Sequence, residues 1–243
     1  MRNYISNVLR ECKQQFIFRK KFSAVKESLA DNRFICNWDD RYPCLNNATG
    51  TTSFDPHYVY HTAWAARMLA ETRPALHVDI SSHLLFSTLV SAFIPIEFYE
   101  YHPAALSLPG LTSGQADLTA LPFADASITS LSCMHVVEHI GLERYGDPFD
   151  PQGDLKAIKE LTRVLSPYGQ LLFVVPIGST ARIQYNAHRI YTYSQILGYF
   201  SKLSLDSFAF ISDSREFIPN AGEADTAGQK YGCGCFRFGK PTS

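Results

Sequence analysis

Net charge is almost missing from this chain: 22 Lys and Arg stand against 23 Asp and Glu, leaving −1 at pH 7. Bulk electrostatics therefore gives no footprint for a nucleic acid or another polyanion, and none is expected as a partner. Long apolar runs are missing too. Nothing matches a membrane-spanning helix or a signal-peptide core, so no transmembrane segment is expected and the cytoplasm is the expected location. The six cysteines (Cys12, Cys36, Cys44, Cys133, Cys233, Cys235) are scattered, and no Cys-x-x-Cys pair is present. That excludes a compact disulfide framework, which a chain this long does not need. Cys233-Gly-Cys235 could touch a metal or redox partner, but without a second pair the thiols read as reduced and structural, and no metal ligands are expected. Internal repeats and low-complexity tracts are also absent.

What the chain has is core-forming material: 243 residues at 46% hydrophobic suffice for one sizeable domain with decoration. The first 27 residues differ from the rest, with seven basic side chains (Arg2, Arg10, Lys13, Arg19, Lys20, Lys21, Lys26) against Glu11 and Glu27. Ile5, Val8, Leu9, Cys12, Phe16 and Ile17 recur there at helical spacing. Such a basic amphipathic helix either packs on the domain as a solvated helix, the preferred reading, or gives peripheral contact with a membrane or protein through residues 1–27. Residues 31–53 read as an irregular loop rich in Asn, Asp, Thr and Gly. The expected division is an extension over 1–53 and an α/β domain over 54–243.

Within the second part, Asp55-Pro56 supplies an N-cap and a first-turn proline for a helix through HYVYHTAWAARMLAE, whose His57, His61 and Trp64 share one face. ALHVDI reads as a strand, SSHLLFSTLVSAF as a helix, IEFYEY as a second strand, and 111–121 as a turn-rich connection carrying Asp117. A strand at 128–134, an amphipathic helix at 153–165, a strand at 171–175, a helix at 192–200, and strands at 203–211 and 233–238 follow. Strands alternating with helices at this spacing predict a mainly parallel sheet covered on both faces.

The most informative stretch is DLTALPFADASITSLSCMHVVEH, residues 117–139, an apolar strand that stops at polar, reactive residues. Open α/β sheets bind ligands at such strand ends. Together with HVDISS, FYEYHP and ELTRVLSPYGQLLFVVP, this stretch resembles the class I S-adenosylmethionine-dependent methyltransferase superfamily over residues 75–211. FDPHYVYHTAWAAR, VVEHIGLERYGDP and NAHRIY resemble more narrowly a bacterial branch of that superfamily, a domain of unknown function. The resemblance implies a Rossmann-like, seven-stranded, mostly parallel sheet with helices on both faces, the last strand antiparallel, and an N-terminal helical extension.

It also implies roles, position by position. Asp79 matches the acid that organises the loop beneath the cofactor's methionine part, with Ser81 in that loop. Glu100 matches the acid that accepts both ribose hydroxyls. Asp117 and Leu118 match the adenine site, and Met134 and His135 the strand end near the sulfonium. Family members carry glycines after the first acid so that the backbone can approach the cofactor closely. Here Ser81, His83 and Leu85 stand in those places, so the cofactor would sit differently, or His83 would fill part of the site, or binding would be lost.

Other polar groups admit two readings each. His135-Val-Val-Glu138-His139 spells the H-x-x-E-H pattern of inverted zinc peptidases, which requires a helix and a further acidic ligand; a chance match at a strand-to-helix junction is preferred. His57 and His61, one helical turn apart, suit a metal or substrate role and a structural one equally. Asn186, His188 and Arg189 form a substrate-binding constellation or pin a loop, and Arg144 with Asp147 and Asp150 forms a lid or a solvated, ion-paired loop. The leading expectation is transfer of the methyl of S-adenosylmethionine to an oxygen or nitrogen of a small polar acceptor, glycan-related ones included. His139 and His188 are the candidate bases and Glu138 orients them; His57, His61, Arg144, Asn186 and Arg189 are the candidate substrate contacts. The alternatives are a non-catalytic binding module with a degenerate cofactor loop and, third, a zinc hydrolase. The sequence leaves the oligomeric state open.

Overall fold

A computed structural model of the chain describes residues 2–29, 34–45 and 50–242, which fall into two compact units, Met1–Phe54 and Asp55–Ser243. In the first, helix α1 (Arg2–Ser28) takes up the basic segment. Trp38 receives the edge of Phe22 at 5.0 Å between centroids, and the Arg41 guanidinium lies 4.5 Å from its ring centre. The expected irregular stretch holds a single 3-10 turn, Trp38–Asp40. Its residues 31–33 and 46–49, and the side chains of Ile5 and Val8, lie outside the described residues.

The second unit begins with helix α2 (Pro56–Thr72), capped by Asp55 Oδ1, which accepts from the backbone N–H of His57 at 2.9 Å. There follow β1 (His77–Ile80), α3 (Leu84–Val90), β2 (Ile96–Glu100), β3 (Leu111–Gln115), β4 (Ile128–Met134), α4 (Gly153–Val164), β5 (Leu165–Ile177), β6 (Arg182–Gln184), β7 (His188–Ile190), α5 (Tyr193–Tyr199), β8 (Ser204–Ile211), β9 (Phe217–Ile218) and β10 (Gly232–Gly239). The sheet order is β3-β2-β1-β4-β5-β10-β8-β9; the first five strands are parallel and β10 runs against both its neighbours. The sheet is thus the expected α/β architecture, with eight strands rather than seven because the two-residue β9 pairs along β8.

Three expected elements differ from the sequence reading, and β6, β7 and β9 were not expected. The expected connection at 111–121 begins as β3, an edge strand that its register with β2 holds straight despite Ser113, Gly114 and Gln115. The helix expected over 81–93 is only α3, because Ser81 turns into the left-handed region at φ 54 and breaks the chain direction first. β5 starts at Leu165, ahead of the expected 171; it carries Pro167 where its pairing with β4 slips, so no ladder hydrogen bond is lost there.

Strand alternation sorts the core into two layers. Leu131, Cys133, Leu171, Phe173 and Val175 face α4 and α5, while Met134, Leu172, Val174, Cys233 and Cys235 pack with Trp64, Leu69 and Phe86 of α2 and α3. On the α2–α3 side a buried polar seam crosses the sheet. Gln170 Nε2 donates to Thr72 Oγ1 (2.8 Å) and Ser130 Oγ (3.2 Å), and His77 bridges Ser130 (Nδ1, 2.8 Å) and Ser132 (Nε2, 2.9 Å). Ser132 Oγ donates to Asp79, which also accepts from Ser87 Oγ of α3 at 2.6 Å. Because an ionised Asp79 can only accept, the donor direction runs Ser130 to His77 to Ser132 to Asp79, which places the His77 proton on Nε2. Burial pushes the His77 imidazole down to about 3 and the Asp79 carboxyl up to about 6.

Candidate functional site

The C-terminal ends of β1, β2, β3 and β4, with the segments that follow them, enclose a crevice of about 430 Å³. Ser81, Glu100, Asp117, Leu118, His135 and His139 all line it, although they come from positions as far apart as 81 and 139. Glu100 stands at the end of β2, half-buried, and no protein hydrogen bond engages its carboxylate among the described residues; burial raises its pKa. Asp117 is exposed and spends one oxygen on Thr119, accepting from its N–H (2.8 Å) and its hydroxyl (2.7 Å), so the other oxygen stays available. Leu118 is buried at the wall beside it.

Of the three residues that stand in place of the expected glycines, only Ser81 lines the crevice; His83 and Leu85 are exposed outside its lining. The Ser81 N–H donates to Tyr99 O at 2.7 Å and its side chain folds back on the same carbonyl. Ser82 turns inward, where its hydroxyl accepts from the Met134 N–H at 3.1 Å. His83 turns outward, exposed, and contacts Tyr58 with ring centroids 5.5 Å apart. Asp79 lies wholly beneath the floor, held by Ser132 and Ser87, so any part it plays is through the loop above it. Met134 is a correction: strand alternation sends it into the α2–α3 core, and His135 and Val136 form the wall instead.

Beyond His135 the wall becomes a cluster of imidazoles, phenols and one thiol. His135 has φ 58, a kink at the strand end that swings its ring toward α2. Its Nδ1 is 2.8 Å from Glu138 Oε1 and its Nε2 is 3.3 Å from Cys233 Sγ. The rings of His57 and Tyr58 lie over it at 5.6 and 5.3 Å, and that of His61 at 5.0 Å. Burial, then the neighbouring His135, brings the His57 imidazole down to about 4, and the same causes lower His61 well below its usual value. Both are neutral near pH 7. His61 Nδ1 is 2.7 Å from His57 O, an acceptor, so that nitrogen carries the proton; its Nε2 is buried with no partner. Burial alone would raise the Glu138 carboxyl, but the hydrogen bond from His135 and the adjacent imidazoles outweigh it and hold the pKa below the carboxylate range.

His139 Nδ1 lies 2.7 Å from Ala187 O and 3.1 Å from Arg144 Nη1, which reaches the same carbonyl; the shorter carbonyl contact favours the proton on Nδ1 and the lone pair on Nε2, 3.8 Å from Glu138 Oε1. His188, on β7, stacks on Tyr231 at 5.0 Å, and its Nε2 is buried without a partner. Burial is the main cause lowering the pKa of each. Val137–His139 is a 3-10 turn, not an α-helix, so the two histidines of H-x-x-E-H diverge: His135 faces Cys233 and His139 faces Ala187. The inverted-peptidase geometry is therefore not formed. Arg144 Nη1 reaches Ala187 O at 2.8 Å, and Asn186 is exposed in the β6–β7 turn. Arg189 is buried and spent on structure, donating to Ile140 O (2.7 Å) and Pro151 O (3.4 Å) and pairing with Asp154 at 3.5 Å. Tyr191 Oη bonds the same Asp154 at 3.0 Å. Tyr231 is a site residue that the sequence reading passed over, and Cys233, weighed there as a metal or redox contact, had been read as structural.

Solved structures share this layout. NodS, an N-methyltransferase from Bradyrhizobium japonicum WM9, superposes with a TM-score of 0.52 at 16% identity, covering 77% of this chain and 97% of that one. The chain has the class I methyltransferase fold. The 1,6-didemethyltoxoflavin-N1-methyltransferase of Burkholderia thailandensis, solved with its substrate and S-adenosylhomocysteine, gives 0.51 at 8% identity, covering 80% and 94%. The MccD protein gives 0.54 at 13%, covering 74% and 96%. Residues 125–213 match a family described as "Caenorhabditis protein of unknown function, DUF268". That description corrects the expected bacterial branch, which has no support. No curated protein matches the chain. No helix among the described residues is long and apolar enough to cross a membrane.

Proposed function

We propose that this protein is an S-adenosylmethionine-dependent methyltransferase acting on an oxygen or nitrogen of a small polar acceptor, glycan-related acceptors included. One observation carries the reading: Glu100 and Asp117, the two acids expected at ribose and adenine, line one open crevice together with Ser81, Leu118 and His135. In this reading Glu100 accepts from the two ribose hydroxyls, Asp117 and the backbone at Leu118 meet the adenine edge, and the Ser81 loop, fixed from below by Asp79, borders the methionine part. The cofactor supplies an activated methyl group. The protein's remaining task is to align the acceptor and remove one proton. His139, which lines the crevice, is the first candidate base and His188, outside its lining, the second, with Glu138 stabilising the cation that proton uptake creates. Arg144 and Asn186 border the acceptor's entry, whereas Arg189 positions the 138–151 segment. Against the non-catalytic alternative stands a crevice that neither His83 nor Leu85 fills.

Calorimetry with S-adenosylmethionine and S-adenosylhomocysteine tests the reading. Both should bind; Glu100→Ala should weaken binding roughly 10–100-fold, the loss of hydrogen bonds to a charged acceptor, and Asp117→Ala should weaken it in the same direction. His188→Ala should bind normally and slow turnover once an acceptor is found. No binding by the wild type, or unchanged affinity in the Asp117 variant, overturns the assignment.

A further inference from the structure

We propose that His57, His135 and Cys233 hold a single thiophilic divalent transition-metal ion of the zinc type beside the crevice. One ligand atom from each lies within 4.8 Å of the others. With metal–sulfur and metal–nitrogen bonds of roughly 2.3 and 2.0–2.1 Å, the edge of a tetrahedral site measures about 3.5 Å. The 3.3 Å between Cys233 Sγ and His135 Nε2 is already such an edge, and His57 needs to close by about an ångström. The three residues come from the first turn of α2, the end of β4 and the start of β10. The Asp55 cap, the left-handed turn at His135 and the pairing of Cys233 with Pro176 on β5 fix them independently, so their meeting is a property of the fold.

The surroundings match what a metal requires. Glu138 Oε1 takes the proton side of His135, at Nδ1, which aims the lone pair of Nε2 at Cys233; carboxylates hold metal-binding imidazoles in this way. The buried Glu138 is 1% exposed, and its Oε2 has no hydrogen-bond partner. A simple S–H···N hydrogen bond explains Cys233 and His135 but leaves that carboxylate with no strong cation. A divalent ion with one thiolate and one adjacent carboxylate is electrically balanced. On binding, the metal–sulfur bond replaces the S–H bond and the thiol proton leaves to solvent, with no change of oxidation state. Three protein ligands leave a fourth position, as in catalytic rather than structural zinc sites, and the ligand class it takes is a hydroxyl, water or other small oxygen donor. The sequence alone predicted no metal ligands, because the three lie on distant elements.

Cobalt(II) is the probe. The full chain, stripped with chelator and titrated with Co²⁺, should bind one equivalent with a thiolate-to-cobalt charge-transfer band and the intense visible bands of a tetrahedral ion, and Zn²⁺ should bleach both. Cys233→Ser should abolish the charge-transfer band, and Glu138→Gln should weaken binding roughly 10–100-fold. Cys235→Ser and His83→Ala should leave the spectrum unchanged. If Cys233→Ser does not fold, His57→Gln decides, since it must weaken cobalt binding while the circular dichroism stays native. No cobalt bound, equal binding by Cys233→Ser or His57→Gln, or a band lost with Cys235→Ser overturns the site. The cobalt spectrum does not depend on S-adenosylhomocysteine calorimetry, so failure of either proposal leaves the other standing.

Discussion

His77 makes a sharp test of the buried polar seam. Its imidazole is 0% exposed, neutral, and held between Ser130 and Ser132, with its pKa brought down by burial to about 3 from 6.5. Between those two values the unfolded chain binds a proton that the folded chain refuses. The stability this represents is complete above pH 6.5 and drains away as pH falls toward 3, at about 1.4 kcal/mol per pH unit, or roughly 2–3 kcal/mol by pH 4.5. His57 and His61 act in the same direction, while Asp79, raised to about 6, acts oppositely between its unfolded value of 3.8 and that pH. His77→Gln keeps an uncharged group able to donate and accept, and leaves the other three in place. The variant should lose about 1 kcal/mol at pH 7.5 from poorer hydrogen-bond geometry, and its stability should then fall less steeply than the wild type by about one proton. Urea unfolding from pH 7.5 to 4.5, analysed at constant m, reads this directly. Parallel pH curves for the two proteins would refute the assignment of a neutral, proton-refusing His77.

Three further outcomes follow from particular contacts. Ser81→Gly should raise stability by about 1 kcal/mol, measured by thermal melting, because φ 54 strains a side-chain-bearing residue; a destabilised variant would mean the serine's bond to Tyr99 matters more. Gly141→Ala should cost about 2–3 kcal/mol and weaken S-adenosylhomocysteine binding, since at φ +77 its Cβ would stand 2.1 Å from Asp150 O in the crevice wall; wild-type stability would contradict that. Arg189→Met should destabilise by roughly 3 kcal/mol by stranding Asp154 and three carbonyls, and a variant that keeps full stability but loses activity would return Arg189 to a substrate role.

Much of the sheet was legible because its inner strands are short apolar runs, LLFVV unbroken and SLSCM interrupted only by small hydroxyl residues, between helical stretches. β3 was not legible, since LTSGQ has one β-branched residue, Thr112, beside a turn-like Ser-Gly pair, and is held by its register with β2. Glu100 and Asp117 were legible as crevice residues through the family resemblance, Glu100 also because it ends a recognisable strand. Met134 was misread by one position of a two-residue period. His57, His135 and Cys233 were each readable as metal-capable residues within separate local motifs, but not as one cluster. Its members sit on one helix and two non-adjacent strands, and only the sheet order brings them together.

The reversed direction of β10 has a consequence for synthesis. Running backwards, it brings its beginning, not its end, to the rim where the forward strands finish, so His57, made early, waits for Cys233, made late. Until Gly232–Gly239 emerges, Leu171–Val175 presents a bare ladder of amide and carbonyl groups on an apolar ribbon, an invitation to pair with a neighbouring nascent chain. Closing that ribbon and completing the thiol–imidazole cluster are one event.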